Sequence, residues 1–258
     1  MPGTSCVSSS GPCGSCRVSA AGRPIWAWTT QLHEWQARYP YVYPEAADNG
    51  QLVPEYVIDM IGRRTNGDAR YVSGVGQHQM WASQYLRFKR PNAWINSGGS
   101  GAMGYAVPAG MGVKVACPDD DVWVIDGDGC FQMTCQELAT MTTERIPIKI
   151  AIINNGYLGM VRQWQELFYD GRFSEIYLTQ DVPDFVKLAE AYGAIGMRVE
   201  TPEEVEPTID KAQAITDRTV VIDFRVDPTE KCYPMVPAAS SNDDIILPPQ
   251  QRPPEEDW

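Results

Sequence analysis

Histidine is nearly absent from this 258-residue chain, occurring only as His33 and His78. Neither has a cysteine or an acid at metal-ligand spacing, so the sequence gives a histidine-based metal site no support. His33, in "TTQLHEWQARYP", adjoins no motif and reads as a surface residue. His78 opens a helix after "GVGQ", where it could donate to a phosphate. Basic residues are also scarce: 21 Lys and Arg face 33 Asp and Glu, a formal charge of −12. Nucleic acid and anionic membranes require a basic patch, so neither is expected as a partner. No apolar run approaches the roughly 18 residues of a membrane span. The start of the chain lacks the basic segment and continuous apolar core of a secretory signal. No internal repeat is visible.

What is present sets the class. Seven cysteines (6, 13, 16, 117, 130, 135 and 232) are odd in number and scattered, which fits a reducing cytoplasm better than a disulfide scaffold. Cys13 and Cys16 form a CxxC, but "SSSGPCGSCRVSAAG" has no helix or strand period to hold a redox or zinc site. Residues 1–28 read as a disordered or non-native leader, 29–233 as one domain, and 234–258, with its proline pairs, as a loop-like tail.

Between those ends apolar strands alternate with helices. Strands are expected at 71–75, 93–97, 122–125, 148–153, 195–199 and 219–226. Helices are expected at 52–64, 78–88, about 103–115, 131–143, and near 158–168, 183–192 and 202–216. In the 131–143 helix, Phe131, Cys135, Leu138 and Thr142 share one face. Strands that are apolar on both faces and alternate with helices imply an α/β fold: a parallel sheet covered by helices on both sides.

The stretch "VIDGDGCF" ends an apolar strand on two acids separated by glycines. A helix of about 13 residues and a six-residue strand span similar lengths, so the 24 residues between Gly129 and Asn154 read as one crossover. "GDG" and "NN" then emerge at the same edge of adjacent parallel strands, where open α/β sheets bind ligands. Gly127 and Gly129 let the backbone approach an anion, and a helix N-terminus after Gly129 favours phosphate. Asp128 would repel a phosphate unless a cation lay between them. Asp128, the Asn155 amide oxygen and the Tyr157 carbonyl, with two diphosphate oxygens and a water, would give an all-oxygen shell suited to Mg²⁺. Alternatively, Asp126 and Asp128 cap a helix and Asn154 and Asn155 form a turn.

"GSGAMG" (99–104) supports a rival, a nicotinamide-dependent oxidoreductase. It follows a short strand, opens a helix, and has acids about 20 residues on at Asp119, Asp120 and Asp121. Those acids precede the strand "VWVI" instead of ending it, and the 127–155 pattern is left unused.

GDG-x24-NN resembles the diphosphate-anchoring motif of thiamine diphosphate (ThDP) enzymes. Together, "GVGQHQMWASQY", "GGSGAMGYAVPAGMG", "DGDGCFQMTCQELAT", "INNGYLGMVRQWQELFY", "VPDFVKLAEAYG" and "YPMVPAASSND" resemble the C-terminal third of the acetohydroxyacid (acetolactate) synthase catalytic subunit, over about residues 29–247. The resemblance implies a ThDP-binding fold with Asp128, Asn155 and the Tyr157 carbonyl on Mg²⁺. It places Gln77, His78, Gly127, Gly129 and Cys130 at the diphosphate. Many relatives carry Ser where Cys130 stands, and a thiol donates more weakly. Met103 would wedge the cofactor into its bent shape, with Gly101, Gly159 and Met160 also at the cofactor. Met160, Val161, Trp164 and Phe168 would line the substrate pocket, Trp164 favouring 2-oxobutyrate over pyruvate as acceptor. The implied reaction is decarboxylation of pyruvate and carboligation to a second 2-oxo acid, in branched-chain amino acid synthesis. The parent is a homodimer with a regulatory small subunit. Its FAD-binding domain, and the pyrimidine-binding domain that carries the activating glutamate, have no counterpart in this sequence, so no catalytic residue is assigned.

Overall fold

The computed structural model describes residues 25–178 and 183–248. The chain divides into two compact units between Val42 and Tyr43. The first contains helix α1 (Ile25–Arg38), which begins inside the stretch expected to be an unstructured leader. Its Trp28 and Trp35, two turns apart, meet edge to face with ring centroids 5.7 Å apart. His33 is exposed, as its isolation from any motif suggests. The Cys13–Cys16 pair and residues 249–258 of the expected tail lie outside the described residues.

The second unit is built on six strands: β1 (Arg70–Ser73), β2 (Trp94–Asn96), β3 (Val122–Gly127), β4 (Lys149–Asn154), β5 (Ile195–Val199) and β6 (Val220–Arg225). Their order is β2-β1-β3-β4-β6-β5, and every pairing is parallel. The helices are α2 (Pro54–Arg64), α3 (Gln77–Tyr85), α4 (Ala106–Ala116), α5 (Asp128–Thr134), α6 (Glu137–Thr143), α7 (Gly159–Phe168), α8 (Phe185–Ala191) and α9 (Pro202–Ala214).

Successive strand residues point to opposite faces, so a strand buried on both sides feeds two cores. Trp123 and Ile125 of β3, Ala151 and Ile153 of β4, and Ile222 and Phe224 of β6 share one core with residues of α2, α3 and α9. Val122 and Val124, Ile150 and Ile152, and Val221 join a second with Val107 of α4, Phe131 of α5, Leu138 of α6 and Phe185 of α8. All residues of β3 and β4 are buried, which is why "VWVI" and "IAII" within them are apolar without alternation. Each fully buried large apolar side chain contributes about 1.5–3 kcal/mol, so these central strands are the rigid floor of anything built on their ends.

Besides α3, which ends at Tyr85 and not at the expected residue 88, two helices differ from expectation. The helix expected from about Met103 starts at Ala106, because Gly104 has φ +82° and cannot continue a right-handed helix. The single helix expected over 131–143 is two, α5 and α6. Between them Leu138 N–H bonds the Cys135 carbonyl and Ala139 N–H the Gln136 carbonyl, an i→i+3 pattern that winds more tightly than the α-helix. The tighter turn changes the phase of the buried face. Leu138 and Met141 are inside, whereas Thr142, expected on that face, is exposed.

Candidate functional site

The register of β3 and β4 pairs Gly127 with Ile153, so the chain leaves both strands at the same edge of the sheet. The strand-to-helix connections after β1, β3 and β4 meet there around a cavity of about 380 Å³. This is the carboxyl edge, where open parallel sheets place ligands.

Asp128, the first residue after β3, is 2% exposed. Its Oδ2 accepts the Gly156 N–H at 3.1 Å, which ties the turn after β3 to the turn after β4. Asn155 Oδ1 accepts the Tyr157 N–H at 3.1 Å. Tyr157 forms an antiparallel bridge with Tyr177, flanked by bonds from Leu158 N–H to the Ile176 carbonyl and from Leu178 N–H to the Gly156 carbonyl. In that pattern Tyr157 is the non-hydrogen-bonded member, so its N–H and carbonyl both point away from Tyr177, to the Asn155 side. The fold thus gathers the carboxylate, the amide and the carbonyl expected to hold a cation. The other asparagine of the pair, Asn154, is scaffold: buried, it donates to Asp223 Oδ1 on β6 at 2.8 Å.

Beneath this rim lies a group that sequence spacing hid. His78 Nε2 is 3.6 Å from Asp126 Oδ1, and Cys130 Sγ completes a cluster whose potential ligand atoms lie within 4.8 Å of one another. His78 therefore does have an acid and a cysteine beside it, brought together by tertiary structure. Burial drives the His78 pKa down to about 3, so the imidazole is neutral. Burial pushes Asp126 well above the usual carboxylate range, and Asp128 up to about 7 against the opposing N–H bonds of Gly129, Asp128 and Gly156. The Cys130 thiol, raised to about 11 by burial, donates to the Val75 carbonyl at 3.2 Å. Asp128 lines a cavity with no Lys or Arg among the described lining residues, and Asp126, fully buried, lies off its wall.

Met103, Gly127, Gly129, Gly159, Met160 and Val161 line the same cavity. A side chain on Gly129 would meet Met103 Cε at 3.1 Å and Leu158 Cδ2 at 3.3 Å, so the absence of one keeps the floor open. Gln77 lines the cavity as well, but its side-chain amide is engaged by protein partners on α7 and in the segment after β6. Three expected residues are not on the wall. Gly101 sits in an exposed turn, its N–H on the Ser97 carbonyl. Trp164 and Phe168 pack edge to face on one another, 5.4 Å between centroids, on the next turns of α7.

Residues missed from sequence include Asp126, Gln163 and Asp223. Gln163 alone carried a signal, a polar residue at the centre of an otherwise amphipathic helix. The nicotinamide reading loses its acids here. Asp120 is bound by Arg70 and Arg90, and Asp121 by Lys149; both acids precede β3, at the opposite end of that strand from the cavity rim.

Residues 74–224 match the family described as thiamine pyrophosphate enzyme, C-terminal TPP binding domain. Over 216 residues the chain is 53% identical to the acetolactate synthase of Mycobacterium bovis, covering 83% of this chain and 35% of that protein. It is 44% identical over 210 residues to the acetolactate synthase isozyme 3 large subunit of Escherichia coli, covering 81% and 36%. The chain thus spans about a third of the length of these curated relatives. Among solved structures it resembles a thiamine diphosphate-dependent 4-hydroxybenzoylformate decarboxylase of Rhodococcus jostii, with a TM-score of 0.65 at 26% identity, covering 72% of this chain and 35% of that one.

Proposed function

The chain belongs to the thiamine pyrophosphate enzymes, as their C-terminal cofactor-binding domain, and on that premise we propose that it is the diphosphate- and metal-binding part of an acetolactate synthase. One observation carries the site: the buried Asp128 carboxylate bonded to the turn that holds Asn155, in a cavity without a Lys or Arg among the described lining residues. Carboxylate, amide and carbonyl oxygens form a hard donor set that fits Mg²⁺. Asp128, Asn155 and the Tyr157 carbonyl would hold that ion, and Gly127, Gly129 and the neutral His78 would receive the diphosphate. Bound thiamine diphosphate supplies a carbon nucleophile that adds to a 2-oxo acid carbonyl and takes up the electrons left when CO₂ departs.

The residues of this chain bind, orient and exclude water. Met103, which reaches toward Gly129, supports the middle of the cofactor, and Met160 and Val161 bound the cavity where a substrate would enter. Trp164 and Phe168 lie one and two turns further along α7, off the cavity wall, and would meet only an acceptor that reaches beyond it. No glutamate lines the cavity among the described residues, so the proton transfer that activates the cofactor is assigned to a pyrimidine-binding domain of the parent homodimer. Pyruvate and 2-oxobutyrate as substrates, FAD, a regulatory small subunit, a cytoplasmic location and a role in branched-chain amino acid synthesis belong to the same reading. The similarity to acetolactate synthases supports the synthase part of it. No described helix is long and apolar enough to cross a membrane.

The likeness to a decarboxylase supports a second reading, simple 2-oxo acid decarboxylation. Supplying the remaining domains and feeding pyruvate separates the two: acetolactate supports the synthase, and acetaldehyde alone supports the decarboxylase.

A further inference from the structure

We propose that Gln163 is a positioning residue that sets the orientation of the Asn155 amide through Gln77, so that Asn155 presents oxygen to the cation. The proposal rests on the reading of Asp128 and Asn155 as metal ligands. An asparagine side chain is nearly symmetric in shape, and one of its two ends is the wrong one for a cation. Something must decide which end faces the site.

The deciding chain of bonds starts at backbone groups that cannot be reversed. Cys232 donates its N–H to Gln163 Oε1 at 2.9 Å, and Gln163 Nε2 donates back to the Cys232 carbonyl at 3.2 Å. This pair fixes which end of Gln163 carries oxygen. Gln163 Oε1 also accepts from Gln77 Nε2 at 2.8 Å, and the same Gln77 nitrogen donates to the Glu230 carbonyl at 3.0 Å. Gln77 Oε1 therefore faces the other way, where it accepts from Asn155 Nδ2 at 3.1 Å. With its nitrogen committed to Gln77, Asn155 places Oδ1 on the Tyr157 N–H.

Two further observations set this apart from ordinary polar packing. Gln163 is the one buried residue of α7, at 1% exposure, on a helix whose other residues are all partly or fully exposed. A buried amide that is fully satisfied is a costly way to fill space unless its polarity is used. The first residue of α7 is also shaped by the relay. A Cβ on Gly159 would lie 2.1 Å from Gln77 Oε1 and 2.5 Å from Asn155 Nδ2, so the Gln77–Asn155 bond crosses space that any other residue would occupy.

Mn²⁺ uptake by the full chain with thiamine diphosphate, followed by electron paramagnetic resonance, tests the relay. Gln163→Leu should weaken Mn²⁺ binding about 10–100-fold, as loss of a ligand-orienting partner does. Excess Mn²⁺ should restore cofactor affinity, and the metal-free melting curve should stay cooperative. Gly159→Ala should weaken Mn²⁺ binding in the same way, and it serves as the test if Gln163→Leu fails to fold. In an Asn155→Asp background, either ligand oxygen serves, so Gln163→Leu should change Mn²⁺ affinity by less than about 3-fold. Unchanged Mn²⁺ binding in Gln163→Leu, or an equal loss in the Asn155→Asp background, overturns the relay alone. No cofactor-dependent Mn²⁺ uptake by the unaltered chain overturns the functional reading, and the relay with it.

Discussion

Gly156 gives its backbone N–H to the Asp128 carboxylate at 3.1 Å, joining the turn after β3 to the turn after β4 across one strand pair. The bond follows from the parallel register that sets Gly127 beside Ile153. It makes the acid and the following asparagine turn a single unit, so the site is only as mobile as the two central strands beneath it.

The glycines of the cavity and those of "GSGAMG" should behave differently. A Cβ on Gly127 would lie 2.8 Å from the His78 ring, whereas one on Gly99 meets nothing within 4 Å. Gly127→Ala should weaken cofactor binding at least 10-fold, a loss of about 1.4 kcal/mol, by displacing His78. Gly99→Ala should leave it unchanged. Titration of both variants with thiamine diphosphate and Mg²⁺ checks this, and sensitivity at Gly99 would revive the dinucleotide reading.

Glu55 gives the protein a pH-dependent stability. It is buried, its Oε2 has no hydrogen-bond partner among the described residues, and burial, with the charge of Glu230, raises its pKa to about 8. Its unfolded value is about 4.5. Between about pH 4.5 and 8 the unfolded chain has released this proton and the folded chain has not. Stability therefore falls as pH rises through that window. Glu55→Gln should remove the dependence, adding a few kcal/mol at pH 8 and almost nothing at pH 4.5, on the order set by the shift. Urea melts at the two pH values measure it, and an equal gain at both would contradict the assignment.

The break between α5 and α6 predicts which residues of that segment matter. Leu138→Ala should cost about 2–5 kcal/mol, the range for a buried leucine. Thr142→Ala should cost about 1 kcal/mol, since the exposed Thr142 contributes one bond to the Tyr192 carbonyl. Comparable losses at both positions would restore the continuous helix expected from periodicity.

Sequence reading reached the sheet and the meeting of the turns after β3 and β4 because both depend on local regularities. Strands apolar on both faces announce their own burial, and a crossover of helical residues followed by a strand brings the chain back to one edge, although those residues form α5 and α6 and not the one helix expected. Residues that owe their role to distant contacts were out of reach. His78 meets Asp126 and Cys130 only once β1 and β3 lie side by side. Nothing local to Gln77 shows that Gln163 and Glu230 hold its amide nitrogen. The tight turn at Cys135 and Gln136 left no proline or glycine to mark it. The helix over 25–38 was obscured by the Ser-, Gly- and Cys-rich stretch before it.

The central claim is that one cation joins Asp128 to a diphosphate, and isothermal titration with thiamine diphosphate measures it most directly. The unaltered chain should bind the cofactor with Mg²⁺ and lose that binding with EDTA, while Asp128→Ala should show no Mg²⁺-dependent binding. Equal affinity in Asp128→Ala, with the same response to EDTA, would place the metal and its diphosphate elsewhere.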